Sequence, residues 1–278
     1  MEKRVYDSEY FSAEDTLGCG QLFRFYPSGG GFIVFSADKA CFLKTNGAVT
    51  EVCSDDADYF ENYFDADKDY SAIVSSAKDA GNRFLSAAAE CGKGIRILRQ
   101  NREEVIFSFV VSQNNNIPRI KGIIERLCAE LGEERMFDGK IYHSFPKAAR
   151  IAQKQADFYR GIGLGYRAEY FPAVADALLN GFDLDEAAKL PTPELKKELI
   201  KLKGVGPKVA DCVALFGFNR SDSFPVDTWM EKIYREDFGG TLTDRNKIAE
   251  YFTGAYGEAA GFFQQYMFHY KRNVENVR

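Results

Sequence analysis

No two cysteines in this chain stand at C-x-x-C spacing, and none follows Cys212. The six present, Cys19, Cys41, Cys53, Cys91, Cys128 and Cys212, are scattered along the chain. That pattern argues against a zinc or iron–sulfur site and against a disulfide framework, and it fits reduced thiols. No apolar run is long enough to span a membrane. The opening MEKRVYDSEYFSAEDTL lacks the apolar centre of a signal peptide, which predicts a cytoplasmic protein. Positive charge is not in surplus either: 36 Lys and Arg face 41 Asp and Glu, for a net charge of −5. Simple nucleic-acid binding through a basic domain is disfavoured by that balance. No internal repeat of fixed period is found.

Hydrophobic residues make up 45% of the 278, which excludes disorder and gives enough chain for about two domains. From residue 17 to about 53 the segments QLFRFYP, GFIVFSA, KACFLKT and AVTEVC read as strands. They are rich in Phe and Val and are separated by SGGG and NG turn signals. Helical patterns follow at 57–64, 70–77 and 83–91, and CGKGIRILRQ reads as a connector. Beyond it the chain predicts helices at 102–112, 118–131, 146–153, 168–180, 192–202, 207–218, 227–238, 243–256 and 258–272. The expected fold is α+β. An antiparallel sheet domain with flanking helices spans 1–98, and a mostly helical domain spans 99–278.

The stretch LKGVGPKVADCVALFGFNRSDSFPVD, residues 202–227, stands out chemically. Gly204-Val205-Gly206-Pro207 reads as a tight hairpin, and Pro207 suits the first turn of a helix. Val209, Val213 and Phe216 recur at helical spacing, so Lys208 falls in that first turn. Lysine is unusual there, because a helix N-terminus already carries partial positive charge. Asp227 stands where the next helix begins, and a capping role alone accounts for it. A lysine set against a positive dipole, with a rigidly delivered carboxylate, is also a nucleophile's environment. An ordinary turn or a non-catalytic DNA-binding hairpin fits the same motif.

Two other segments carry polar groups on predicted connections. Gln113-Asn114-Asn115-Asn116-Ile117-Pro118-Arg119 places three consecutive Asn where a helix interior is disfavoured. Leu164-Gly165-Tyr166-Arg167 offers an aromatic wedge and a guanidinium on a Gly turn, or simply a surface turn. Lys196, Lys197, Lys201, Lys203 and Lys208 form a basic cluster beside the hairpin, with Lys271, Arg272 and Arg278 in the tail. Such a face docks phosphates even on an acidic protein, though a solvated helix face explains it equally.

The chain reads SQNNNIPRI, GLGYRAEY and GVGPKVADCVAL, in that order, after a GQLFR segment at Gly20–Arg24. These four ordered motifs resemble those of the eukaryotic-type 8-oxoguanine DNA glycosylases of the helix-hairpin-helix superfamily, and a bacterial member is expected. The resemblance runs from about residue 10 to 270. It implies that Lys208 is the nucleophile and Asp227 its supporting carboxylate. Asn114, Arg119, Tyr166 and Arg167 would handle the estranged cytosine and hold the gap left by the flipped nucleotide. The Gly20 carbonyl would accept N7–H of the damaged base. Gln21 would belong to the same pocket, Cys212 and Phe268 would stack on the two faces of the base, and Gln264 would meet its edge. Gly204 and Gly206 of the hairpin, and Trp229, would touch DNA. Trp229 stands where the animal enzymes carry a phosphate-contacting His, a departure that leaves the 5′-phosphate contact open.

The hairpin carbonyls around Ile200, Leu202 and Val205 would hold a structural monovalent cation. No cofactor and no catalytic metal is implied, and the expected partner is duplex DNA carrying oxidised guanine, bound by a monomer. Related enzymes that carry a four-cysteine cluster after the catalytic region differ here, since no cysteine follows Cys212. A glycosylase for another damaged or mispaired base, or a silent DNA-binding module, stays open as an alternative.

Overall fold

A computed structural model describes residues 1–273; Arg278, counted above with the basic tail, lies outside them. Strands β1 (Glu2–Asp7), β2 (Phe25–Ser28), β3 (Gly31–Ser36), β4 (Lys39–Asn46) and β5 (Val49–Ser54) form one antiparallel sheet. Their order is β1-β5-β4-β3-β2. The hairpin signals select these turns: Asn46 pairs with Val49 and Ser28 with Gly31, each across a two-residue loop. Strand β1 escapes a pattern-based reading, because its EKRVYD sequence is an edge strand without a clean apolar alternation. Its Arg4 pairs with Glu61 and Asp58 of the neighbouring Ala57–Tyr63 helix. Residues 13–18 are a short helix, and of QLFRFYP only its last residues enter β2.

One sheet face buries Val34, Cys41, Leu43 and Val52 against Phe11, Phe60, Tyr63 and Phe64. The other buries Ile33, Phe35 and Ala40 against Phe137 of a second, two-stranded sheet, β6 (Glu134–Phe137) and β7 (Lys140–His143). That hairpin was not expected from the sequence; its short strands are exposed except at buried Phe137 and half-buried Tyr142 and His143.

The larger core is helical. The Arg102–Ser112 helix is buried on nearly every side, from Glu104 to Val111, and crosses the Pro207–Gly217 helix. Phe109 stacks on Phe216 across that crossing, ring centres 5.4 Å apart. Helices Tyr70–Asp79 and Arg83–Cys91 join the same core and pack near the Ala260–Asn273 helix. The predicted helices otherwise appear within a few residues of expectation, except that 146–153 shrinks to Ala148–Ile151. Short helices at Ala156–Gly161 and Leu184–Ala188 are additional. No helix among the described residues is long and apolar enough to cross a membrane.

The connector after residue 91 is a buried extended spine. Ile95, Arg96, Ile97 and Leu98 are at most 5% exposed. The Arg96 guanidinium donates to the carbonyls of Phe64, Asp65, Lys68 and Tyr10, so the irregular 64–68 turn is satisfied from within. Arg24 ties the sheet to the central helix. Its Nη1 reaches Glu104 at 3.3 Å and its Nη2 donates to the His143 carbonyl at 2.7 Å. Burial raises the Glu104 carboxyl above its usual range, and Arg24 opposes that shift. Removing either partner strands a buried charge, which costs about 3–5 kcal/mol.

Candidate active site

The hairpin places Lys208. Gly204 has φ +86°, and a Cβ there would stand 2.4 Å from the Tyr170 ring, so both the turn and the packing demand glycine. Gly206 differs: its backbone is extended (φ −91°, ψ 178°), and a Cβ there would meet nothing within 4 Å. It leaves the helix N-terminus open to a close-approaching backbone. No side chain caps that terminus, and Pro207 opens the helix as expected.

Lys208 is half-buried, with its ammonium 5.3 Å from the Phe109 ring centre. One turn on, Cys212 is buried, and burial pushes its thiol up to about 11, with the Lys208 charge as the largest opposing influence. Cys212 is therefore a neutral, polarisable surface at pH 7. Asp227 caps the Thr228–Asp237 helix with one oxygen, Oδ1, which accepts from Trp229 N at 2.9 Å and Met230 N at 3.0 Å. Its Oδ2 has no hydrogen-bond partner among the described residues. Capping thus leaves half the carboxylate available.

Lys208 and Asp227 line two adjoining spaces. The inner one, about 40 Å³, is walled by Gly20, Cys212, Gln264, Gln265, Phe216 and Phe268. It has room for one or two waters and not for a purine. The outer one, about 760 Å³, is an open groove reaching past the Asn loop to Trp229, Arg245, Asn246 and Arg272. Phe268, expected from the family resemblance to stack on the base, lies on the wall common to both. Gln264 is 4% exposed, and its Oε1 accepts from Gln265 Nε2 at 2.7 Å.

The three Asn divide the work of one loop. Asn114 sits at φ +44°, a conformation Asn tolerates, and its Nδ2 donates to the Tyr166 hydroxyl at 3.3 Å. Asn115 donates back to the Val111 carbonyl, and Asn116 caps the Ile117–Leu131 helix through Arg119 N. Tyr166 is 54% exposed, and the Arg119 guanidinium is exposed with one long contact, 3.4 Å, to the Gly163 carbonyl. Gln113 Nε2 donates to the Gly204 carbonyl at 2.9 Å, which docks the Asn loop on the hairpin.

Two expected contact residues are placed differently. Gln21 is fully buried and does not line the inner cavity. Its Nε2 donates to the carbonyls of Arg96 (2.7 Å) and Thr16 (3.2 Å), and its Oε1 accepts from Leu98 N at 2.9 Å. It pins the turn that carries Gly20 to the spine. Arg167 is 3% exposed, and its guanidinium donates inward to the carbonyls of Gln113, Asn114 and Leu164. It therefore shapes the Asn loop from beneath and presents no free fork to DNA. The basic cluster is largely spoken for as well. Lys196 pairs with buried Asp211 at 2.5 Å, and Lys201 pairs with Glu198 at 2.6 Å. Asp211 also accepts from Ser223 Oγ at 2.8 Å, which fastens the loop leading to Asp227 onto the helix of Lys208. Burial raises the Asp211 carboxyl, and Lys196 opposes that most strongly. Asp211, Phe109 and Arg245 were not singled out by sequence for this site, and Arg272 was named only with the basic tail; isolated charges and core aromatics carry no local signal of it.

Comparison with known proteins bears on this geometry. The profile of the 8-oxoguanine DNA glycosylase N-terminal domain matches residues 4–106. A crystal structure of the Clostridium acetobutylicum 8-oxoguanine glycosylase/lyase, in complex with duplex DNA containing cytosine opposite 8-oxoguanine, superposes with a TM-score of 0.91. It is 31% identical and covers 100% of this chain and 99% of its own. The Arabidopsis thaliana N-glycosylase/DNA lyase OGG1 is 35% identical over 191 residues, 63% of this chain and 52% of the plant protein. A probable N-glycosylase/DNA lyase of Methanothermobacter thermautotrophicus is 28% identical over 211 residues, 69% of this chain and 68% of that protein.

Proposed function

This chain belongs to the 8-oxoguanine DNA glycosylase/lyase family, and on that premise we propose that it excises 8-oxoguanine from duplex DNA with Lys208 as nucleophile. The observation that carries the reading is the shared wall of cavity and groove, where an amine and a half-free carboxylate stand together. The lesion is flipped out of the stack at a cost of about a few kcal/mol. It enters between Cys212 and Phe268, which requires the 40 Å³ cavity to open. The Lys208 amine attacks C1′, the base leaves, and an imine joins protein and sugar. Loss of the proton at C2′ then breaks the 3′ C–O bond and nicks the strand. Asp227 Oδ2 stabilises the positive charge developing on the sugar.

The groove accounts for the rest of the duplex. Tyr166 and Asn114 enter the gap, and the open N-terminus at Gly206 faces phosphate. Trp229 stands on the groove wall beside Arg245. The carbonyls of Ile200, Leu202 and Val205 suit a hard monovalent ion. Leu202 already accepts from Val205 N at 3.0 Å and keeps its second lone pair. Such an ion would bridge the hairpin to a phosphate. The protein works as a monomer in this reading.

Base release from duplexes carrying 8-oxoguanine opposite each of the four bases, and from a duplex carrying an alkylated purine, tests the function. Arg119, with an exposed guanidinium beside the groove, donates two bonds to a cytosine edge, so excision is fastest opposite cytosine. Arg119→Met should level the four rates, a loss of about 1–3 kcal/mol of discrimination. A wild type that excises equally well opposite every base removes Arg119 from this role, and one that releases an alkylated purine instead moves the chain to another lesion.

Gly20 supplies the second discrimination. Its φ of +88° is open to glycine, and a Cβ there would come to 3.0 Å from Arg272 Nη1 and 3.4 Å from Phe268 Cε1. Both are side-chain ends that yield, so Gly20→Ala should fold with a strain of about 1–2 kcal/mol. It should lose about tenfold to hundredfold in 8-oxoguanine excision, because the carbonyl that accepts N7–H is displaced. Single-turnover rates and thermal melts check this together; wild-type excision by the Ala variant makes Gly20 a turn residue only.

A further inference from the structure

We propose that Arg272 determines specificity by donating from Nη1 to the C8 oxygen of the lesion, beside the carbonyl of Gly20. The inference rests on the lesion assignment above and adds a second contact to it. Arg272 lies in the last turn of the Ala260–Asn273 helix, one turn beyond Phe268, and lines the outer groove where it meets the inner cavity. Its guanidinium is stationed on three sides. Nη2 donates to the Gly18 carbonyl at 2.5 Å, Nε donates to Asn273 Oδ1 at 3.0 Å, and Cζ sits 4.8 Å from the Phe268 ring centre. Among the described residues no carboxylate pairs with it, and Nη1 has no hydrogen-bond partner. That free donor occupies the place a side chain on residue 20 would take, 3.0 Å from the Cβ position of Gly20.

The chemistry of the lesion edge matches this arrangement. N7 and C8 are adjacent ring atoms, so 8-oxoguanine presents a donor (N7–H) and an acceptor (the C8 oxygen) side by side. Arg272 Nη1, 3.0 Å from the Cβ position of Gly20, sets a donor close to the residue whose carbonyl is the acceptor. Guanine in the same register sets a lone pair against the carbonyl and a C–H against the guanidinium, leaving both protein groups unsatisfied. A base that takes the Phe268 face shifts the guanidinium from the ring toward its edge, and the contact to oxygen replaces the ring contact. Because the donor is charged, that contact is among the stronger hydrogen bonds.

The test compares 8-oxoguanine with 8-thioguanine opposite cytosine. Both keep N7–H, but sulfur is the weaker acceptor. Single-turnover excision is measured for the wild type, Arg272→Met and Arg272→Lys. The Met variant should lose about tenfold or more on 8-oxoguanine, as expected for a lost hydrogen bond to a charged group. It should lose much less on 8-thioguanine, so that the ratio of the two rates collapses. Lysine, which keeps the charge but not the fork, should fall between them. Nicking of a preformed abasic site, which carries no base to read, is measured in parallel, and a loss there as large as on 8-oxoguanine would show a general DNA-binding role and overturn the proposal. Equal losses on both lesions would show a stacking or packing role and overturn the proposal. Unchanged or faster excision by the Met variant would make Arg272 a plug, and overturn it too. A wild type that nicks abasic sites but releases neither base overturns the lesion assignment itself, and Arg272 as its reader with it.

Discussion

Lys208→Gln is expected to bind lesion DNA while releasing no base and forming no covalent complex under borohydride. Glutamine keeps much of the side chain's length and its capacity to donate, so packing against Phe109 is largely preserved. What it lacks is a nucleophilic lone pair on nitrogen. The wild-type amine attacks C1′, and the resulting imine is what borohydride reduces to a permanent bond. Without an amine neither step has a starting point, so the loss is complete rather than partial. The outcome also separates rival chemistries. Base release without trapping would mean that water is the nucleophile and Asp227 its activator, and Lys208 would then serve binding only. Normal trapping by the Gln variant would place the nucleophile on another amine, and among the described residues the groove is lined by no other lysine. Binding is read separately, by titration against an abasic-site analogue, so that a folding defect is not mistaken for lost chemistry.

What was legible in the sequence is what local backbone demands. Gly204 needs a positive φ and a close approach to Tyr170, and Pro207 needs the first turn of a helix, so the hairpin and Lys208 could be placed from spacing alone. Asp227 was legible for the same reason, as a cap. Long-range partners were not legible. Arg167 follows an aromatic on a Gly turn, which reads the same whether the guanidinium faces DNA or folds beneath. It folds beneath, because the carbonyls it satisfies belong to Gln113 and Asn114, 54 and 53 residues away. Gln21 is similar: its partners Arg96 and Leu98 lie 75 and 77 residues on. Strand β1 was missed because a charged edge strand lacks the alternation that marks a buried one. Arg272 reached the site only because the last helix returns to Gly18 and Gly20, 254 residues back from Arg272 to Gly18.

Asp227→Asn addresses the ambiguity that the cap created. Both hydrogen bonds to the helix N-terminus are accepted by Oδ1, and an asparagine carbonyl accepts them equally well. The substitution therefore preserves the cap and removes the charge, with a stability cost limited to the charge–dipole term of about 0.3–1 kcal/mol. If the carboxylate acts only as a cap, turnover should stay near the wild-type value. If Oδ2 stabilises the sugar cation as Lys208 displaces the base, the rate should fall by roughly 10²-fold or more, the magnitude seen when a preorganised electrostatic group is removed. The loss should appear in single-turnover chemistry and not in DNA affinity, because the charge matters most where positive charge develops. Asp227→Ala provides the converse: it removes cap and charge together, so it should melt earlier by an amount reflecting about 0.5–2 kcal/mol. Slow chemistry in the Asn variant with near-normal melting is the result expected of a carboxylate whose second oxygen belongs to the reaction. Normal chemistry in that variant would return Asp227 to the helix it caps.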